Sequence, residues 1–216
     1  MTYLLRLLVN LFFNSCHRYY TASRKKILTI YFLRKTNGTL ILHPLECYYF
    51  HMIFETAQES DIPQLTQLRI DFLKVDHSDM SEETEKTLKA NITAFFEKHL
   101  NKDSVVFIAR DDAIDDSAGG THGKIVSTAI LNIIEKPANT SYIHGRVGEV
   151  NSVYTIPEYR RRGYALQIIK NLVEYSKENQ IDRVDLKATK MGAPVYIKAG
   201  FEITEDTHTN MHFSNK

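Results

Sequence analysis

The sequence predicts a mixed α+β fold: a central mixed, mostly antiparallel sheet of about six to seven strands with helices on both faces. Three observations carry this. Short apolar runs of period two, Ile53–Ala57, Ser104–Arg110, Lys124–Ile134 and Val150–Ile156, recur between Gly- and Asp-bearing loops, as strands joined by hairpins do. Longer stretches repeat their apolar residues at helical spacing. Near the C-terminus the order becomes strand, helix, strand, which requires a crossover and therefore parallel pairing there.

Taken in order, Ile53–Ala57 is the first strand of the body. Ser60 or Asp61 can cap the helix that follows, with Pro63 in its first turn and Ile62, Leu65, Leu68, Phe72 and Leu73 as its apolar stripe. Ser81 can cap a second helix, whose Glu82, Glu83 and Glu85 suit its positive end and whose Leu88, Ile92, Phe95, Phe96 and Leu100 share one face. Ser104–Arg110 and Lys124–Ile134 read as a hairpin across the Asp/Gly-rich segment 111–123, with Val126, Thr128, Ile130 and Asn132 on one face. The acids of 111–123 lack the spacing of a calcium loop. The loop 135–148 precedes the central strand and would make an acceptor lid. Ala165–Asn179 is a helix with Leu166, Ile169, Leu172, Val173 and Ser176 inward. Arg183–Ala188 is a strand, a short helix starts near Ala193 with Pro194 and stops at Gly200, and Phe201–Ile203 and Asn210–Phe213 would close the sheet.

The chemistry concentrates between Glu149 and Ala165. Val153-Tyr154-Thr155 ends a strand, Pro157 and Glu158 stop it, and Arg160-Arg161-Arg162-Gly163-Tyr164-Ala165 leads into the long helix. A basic, glycine-containing turn into a helix N-terminus binds phosphate: first-turn N–H groups have no intrahelical partner, and the dipole end is positive. Gly163 allows close backbone approach, and arginines add charge-assisted donors.

Arg160-x-x-Gly163-x-Ala165 after this strand resembles the acetyl-CoA motif Q/R-x-x-G-x-G/A of the GCN5-related N-acetyltransferase (GNAT) superfamily, and Tyr196-Ile197-Lys198-Ala199-Gly200-Phe201 resembles its Y-x-x-x-G-F. The resemblance spans roughly residues 52–213. It implies the acyl-CoA N-acyltransferase fold, acetyl-CoA as co-substrate, no metal, and transfer of the acetyl group to a primary amine by direct attack in a ternary complex. It further implies that Arg160 to Ala165 hold the pyrophosphate, and that the strand end at Val153, Tyr154 and Thr155, often bulged in the family, pairs with the pantetheine arm and polarises the thioester carbonyl. An aliphatic ammonium has a pKa of about 10.4, so a base is needed. Glu149, eleven residues before Arg160, stands where family members often place one, and alternation would set it on one face with Asn151, Val153 and Thr155. Tyr196 stands where many members protonate the leaving thiolate. Thr189 and Gly192 depart from the Asn and Ala often found there, so no side-chain amide contact to the pantetheine carries over. The alternative function is a non-catalytic acyl-CoA-binding sensor or interaction module on the same fold.

Composition limits the partners. Of the 216 residues, 1–51 hold seven of the 27 basic and one of the 26 acidic residues, leaving 52–216 at net −5. An acidic body argues against nucleic acid and suits a small-molecule or peptide amine; a homodimer is compatible with the sequence. Both cysteines, Cys16 and Cys47, precede the body, which therefore has no thiol nucleophile and fits a reducing cytoplasm. His208 and His212 lack the pattern of a zinc site. Residues 1–51 are expected to be an extension outside the chemistry, one that a start codon taken too far upstream would produce, since Met52 directly precedes the first strand. The competing expectation is a basic membrane or partner anchor; Tyr3–Phe13 is too short to span a bilayer. Residues 52–216 are expected to be the N-acetyltransferase domain.

Overall fold

The structure is a computed structural model that describes residues 27–36, 39–48, 52–76, 79–111, 123–204, 211 and 213–214. The sequence-based expectations for residues 1–26, for 112–122, for His208 and His212, and for part of the strand at 210–213 lie outside these residues. The chain divides into two compact units, Met1–Phe50 and His51–Lys216. The first contains β1 (Ile27–Thr36) and β2 (Thr39–Tyr48), an antiparallel pair running from Ile27 opposite Tyr48 to Thr36 opposite Thr39. Sequence reasoning passed over this pair. Its signal is the Asn37-Gly38 dipeptide between two runs rich in β-branched and aromatic residues.

The second unit begins with β3 (Met52–Thr56), a single 3-10 turn at Glu59–Asp61, α1 (Ile62–Asp76) and α2 (Glu82–His99). Ser81 caps α2 as its residue type predicts, accepting the Thr84 N–H at 3.2 Å. Asp61 closes the 3-10 turn that Gln58 caps. Its carboxylate accepts the Gln58 N–H at 2.9 Å and, through its other oxygen, the Arg110 guanidinium at 2.9 Å. Arg110 is buried and also donates to Glu55 at 2.8 Å and to the Gly123 carbonyl at 2.9 Å. One guanidinium thus ties together β3, the start of α1 and the entry to the next strand, with an acceptor at each of its three nitrogens.

β4 (Ser104–Asp111), β5 (Ile125–Glu135) and β6 (Arg146–Thr155) follow, then α3 (Tyr164–Glu178), β7 (Arg183–Leu186) and α4 (Ala193–Lys198). The sheet order is β3-β4-β5-β6-β7, antiparallel except for the parallel β6–β7 pair. Among the described residues five strands form this sheet, where six to seven were expected: Phe201–Ile203 is irregular. Gly200, at φ 100, reverses the chain after α4, and the Phe201 N–H is spent closing that helix on the Tyr196 carbonyl at 3.0 Å, so it is lost to any ladder.

Alternation along β4 divides the core. Val106 and Ile108 join Leu65, Leu68, Phe96 and Leu100 on the α1/α2 face; Val105, Phe107 and Ala109 join Ile168, Ile169 and Leu172 of α3 on the other. On β5 the simple alternation fails. Val126 packs on the α3 face and Ile130 on the α1/α2 face, where sequence reasoning had put both on one. A register shift between Ala109 and Arg110 explains it: their partners are Ser127 and Ile125, so Val126 is an extra residue. Among the described residues no helix is long and apolar enough to cross a membrane.

Candidate active site

β6 is paired on both sides only in its first half. Val147 to Val150 face Arg183 to Leu186 of β7, and there the pairing ends. The strand expected to run to Ala188 stops at Leu186. On the β5 side the register jumps: Tyr154 faces Thr128 but Asn151 faces Ile130, so Ser152 and Val153 share the place opposite Ala129. Ser152 sits at φ 54, a left-handed conformation that costs a non-glycine residue roughly 1–2 kcal/mol. This bulge turns β6 away from β7 and leaves 151–155 without a partner on that side. The Tyr154 carbonyl accepts the Ser127 hydroxyl at 3.1 Å, and the Ile156 N–H donates to Val126 at 3.0 Å. These groups face β5, so the main-chain groups of Thr155 and, by alternation, Val153 face the opening.

At the foot of that edge lies the basic turn. A 3-10 turn at Pro157–Tyr159 is anchored by the Tyr159 hydroxyl, which donates to Asp111 at 3.0 Å. Burial, and then that carboxylate, push the Tyr159 hydroxyl above its usual range. The arginines divide their roles. Arg160 donates from Nε to the Thr155 carbonyl at 2.9 Å, with its guanidinium 5.8 Å from the Tyr154 ring. Arg162 donates to the Glu158 carbonyl at 2.9 Å and lies 5.2 Å over the Tyr159 ring. Arg161 is exposed and left-handed at φ 64. Gly163 is left-handed too, at φ 84, and a Cβ built on it would meet nothing within 4 Å. Its conformation, not crowding by the protein, calls for glycine, and the space beside it is open. α3 starts here with no side-chain cap and no acid in its first turn, and its first intrahelical bond runs from the Gln167 N–H to the Gly163 carbonyl at 3.1 Å. The N–H groups of Tyr164, Ala165 and Leu166 are therefore free to bind an anion.

The family model described as Acetyltransferase (GNAT) family matches residues 66–201. The chain belongs to the GNAT family. A predicted acetyltransferase from Clostridium acetobutylicum, solved with acetyl-CoA, superposes at a TM-score of 0.58 with 28% identity, over 75% of this chain and 96% of that one. The glucosamine-6-phosphate N-acetyltransferase of Arabidopsis thaliana shares the fold at a TM-score of 0.52 and 15% identity, over 76% and 99%. In sequence the chain is 31% identical over 102 residues to a probable glucosamine 6-phosphate N-acetyltransferase 2 of Oryza sativa subsp. japonica, 47% of this chain and 56% of that relative. The chain spans little more than half the length of that relative.

The remaining site candidates of this GNAT chain fall on opposite faces of the sheet. Val153 packs on the α3 cluster, as do Tyr164 and Tyr196, whereas Tyr154 is buried on the α1/α2 side against Phe72, ring centroids 5.9 Å apart. Burial, with the nearby Asp71 charge, raises the Tyr154 hydroxyl above its usual range, against Arg160. Glu149 is exposed and lies in register between Asn132 of β5 and Asp185 of β7. Val150 belongs to the α3 face, so Glu149 and Asn151 point to the α1/α2 face. The expectation that Glu149 shares a face with Val153 and Thr155 is corrected: the extra residue at Ser152 reverses the alternation between them. Tyr196, in α4, stacks edge-on against Phe201 at 6.1 Å, and burial pushes its hydroxyl above the usual tyrosine value. The departures from the family pattern explain each other locally. Thr189 Oγ1 accepts the Gly192 N–H at 3.1 Å, and a Cβ at Gly192 would come within 3.2 Å of that oxygen and 3.3 Å of the Tyr196 ring. The loop after β5 is pinned: half-buried Asp182 takes the His144 and Arg146 N–H groups and the His144 ring at 2.7 Å. Among the described residues no cluster has the makings of a metal site.

Proposed function

We propose that residues 52–216 transfer the acetyl group of acetyl-CoA to a primary amine by direct attack in a ternary complex, with residues 1–51 an appendage to that chemistry and the protein working in the cytoplasm. The observation that carries this is the parting of β6 from β7 after Val150, directly above the open, uncapped start of α3. A pantetheine arm is a strand-like chain of amides and can complete the ladder that β7 abandons, while the first-turn N–H groups and the arginines take the diphosphate.

The two faces then divide the work. Glu149, on the α1/α2 face, accepts the ammonium proton directly or through a water, freeing the nitrogen lone pair. The Val153 N–H, turned to the opening, donates to the carbonyl oxygen as negative charge develops on it. As the new C–N bond forms and the C–S bond breaks, Tyr196 gives its proton to the departing sulfur from the α3 side. Base and acid on opposite faces let the amine arrive and the thiol leave without competing for space. The amines worth testing include glucosamine 6-phosphate, in view of the rice relative, and peptide N-termini.

Calorimetry with CoA and acetyl-CoA, followed by thiol release over a panel of amines, tests this. Heat with both and thiol release with at least one amine is the expected result. Binding with no turnover on any amine would make the protein an acyl-CoA sensor; no heat at all would end both readings.

A further inference from the structure

The half-open edge has a second unsatisfied feature, on its α1/α2 side. Arg69 of α1 lines a small cavity together with Leu68, Phe72, Thr128, Ser152 and Tyr154. It is half-buried, and its guanidinium lies 5.3 Å from the centre of the Phe72 ring. Among the described residues it has no ion pair or hydrogen bond. Burial without a partner pulls its pKa below the usual arginine value. A guanidinium offers five fixed N–H donors and keeps its charge; here none meets an acceptor within the described residues, and its partly exposed head is open to one from outside. The Ser152 hydroxyl in the same cavity is also buried without a partner. These are donors from two separate elements, α1 and the bulge of β6, and both lack an acceptor.

The cavity is joined to the proposed co-substrate edge by a run of stacked groups. Arg69 sits over Phe72, Phe72 meets Tyr154 edge-on at 5.9 Å, and the Arg160 guanidinium lies 5.8 Å from the Tyr154 ring. Tyr154 is itself part of the unpaired stretch of β6. Glu149 points to the same face, three residues before Ser152. An acceptor reaching the opening from this face therefore passes a carboxylate that suits its ammonium and a guanidinium with a hydroxyl that suit an anion.

We propose that the acceptor is an amine that also carries an anionic group, a carboxylate or a phosphate, and that Arg69 and the Ser152 hydroxyl hold that group at the mouth of this cavity. Arg69 is then a specificity-determining residue. The proposal rests on the reading of the β6 edge as the acetyl-CoA edge, and its test is chosen to fail separately.

The experiment compares matched amines with and without the anion: glucosamine 6-phosphate with glucosamine, and lysine with cadaverine. The two pairs separate phosphate from carboxylate. Binding of each compound is measured by calorimetry, in the absence and presence of CoA, and turnover by thiol release. The wild-type protein should favour the anionic member of at least one pair. Arg69→Gln should lose about 10–100-fold on that member, through KM and binding rather than kcat, as expected for a charged hydrogen-bonded contact. The uncharged counterparts and acetyl-CoA binding should change less than about twofold, and Arg69→Lys should restore part of the loss, a single ammonium replacing the fork. Equal affinity for charged and uncharged members in the wild type, or an equal loss on both in Arg69→Gln, would overturn the proposal. If thiol release fails with every amine, the calorimetric comparison still decides it, since the anion is bound or not bound independently of turnover.

Discussion

The two halves of β6 carry opposite kinds of residue in one strand. From Val147 to Val150 it is paired on both sides, with buried Val147, Gly148 and Val150 filling the sheet. From Asn151 to Thr155 it has one partner strand, a left-handed serine, and a hydroxyl buried without a bond. The first half satisfies every local rule for a strand; the second breaks three within five residues. Strain and orphaned polar groups persist only where the rest of the fold over-determines them, and such places concentrate where something binds. Here the stable half is the brace and the irregular half the tool. Substitutions of the buried residues of the first half, Val147, Gly148 and Val150, should therefore change stability, and those facing the second should change catalysis; the exposed Glu149 is the one residue of the brace that works with the tool.

The largest expected effect faces the open half. If Tyr196 protonates the departing sulfur across the opening, Tyr196→Phe should lower kcat by about 10²–10⁴-fold while leaving the acetyl-CoA dissociation constant unchanged. The pH profile gives the same residue a second signature. Burial disfavours the phenolate and so raises the pKa above 10.0. The protonated, donating form then persists to higher pH than that of an ordinary tyrosine, so the loss of wild-type kcat from this group should come later in the alkaline range. Rate measurements across the alkaline range check the sign. Full activity in Tyr196→Phe would remove the hydroxyl from the mechanism and leave the ring as packing against Phe201.

The next pair of substitutions sets brace against tool directly. A Cβ at Gly148 would lie 2.7 Å from Leu131 Cδ1 and 3.2 Å from Val184 Cγ2. Gly148→Val should therefore cost about 1–3 kcal/mol of stability by overpacking, read as a lowered denaturation midpoint, with the KM for acetyl-CoA unchanged in the folded fraction. Gly163→Ala has no such neighbour; its cost of roughly 1–2 kcal/mol comes from the left-handed backbone alone, and its methyl group projects into the space proposed for the diphosphate. It should raise the KM for acetyl-CoA as well. If Gly163→Ala lost stability but kept its KM, the diphosphate would lie elsewhere.

How much of this was legible beforehand follows the same division. The regular parts could be read: Ser81 as a cap, the inward stripe of α3 through Ile169 and Leu172, the αL turn at Gly200, and the basic turn through Gly163, because period and residue type directly encode them. The irregular parts could not. A bulge adds one residue without changing composition, so neither Val126 nor Ser152 announced itself, and every alternation argument carried past them, Glu149 with Val153 above all, came out on the wrong face. Ser152 is a poor guess for a left-handed position, where glycine or asparagine is expected. Arg110 read as the polar end of a strand, since its partners Glu55 and Asp61 lie 55 and 49 residues away. Arg69 drew no notice in the sequence, because its lack of a partner is a fact of tertiary packing.

The smallest effect is the sharpest for the division itself, because stability and activity should move in opposite directions. Ser152→Gly removes the backbone strain of a non-glycine residue at φ 54 and deletes the unbonded hydroxyl. Against these gains stands the greater backbone freedom that glycine loses on folding, about 0.5–1 kcal/mol. The strain relief of roughly 1–2 kcal/mol and the lost burial penalty of about 1–3 kcal/mol outweigh it, so the variant should be more stable by about 1 kcal/mol or more, seen as a raised denaturation midpoint. Its catalytic efficiency should fall, since the serine is the donor that the open half keeps at a cost. A variant both less stable and fully active would mean that the bulge needs its serine for folding, and the contrast between the two halves of β6 would collapse.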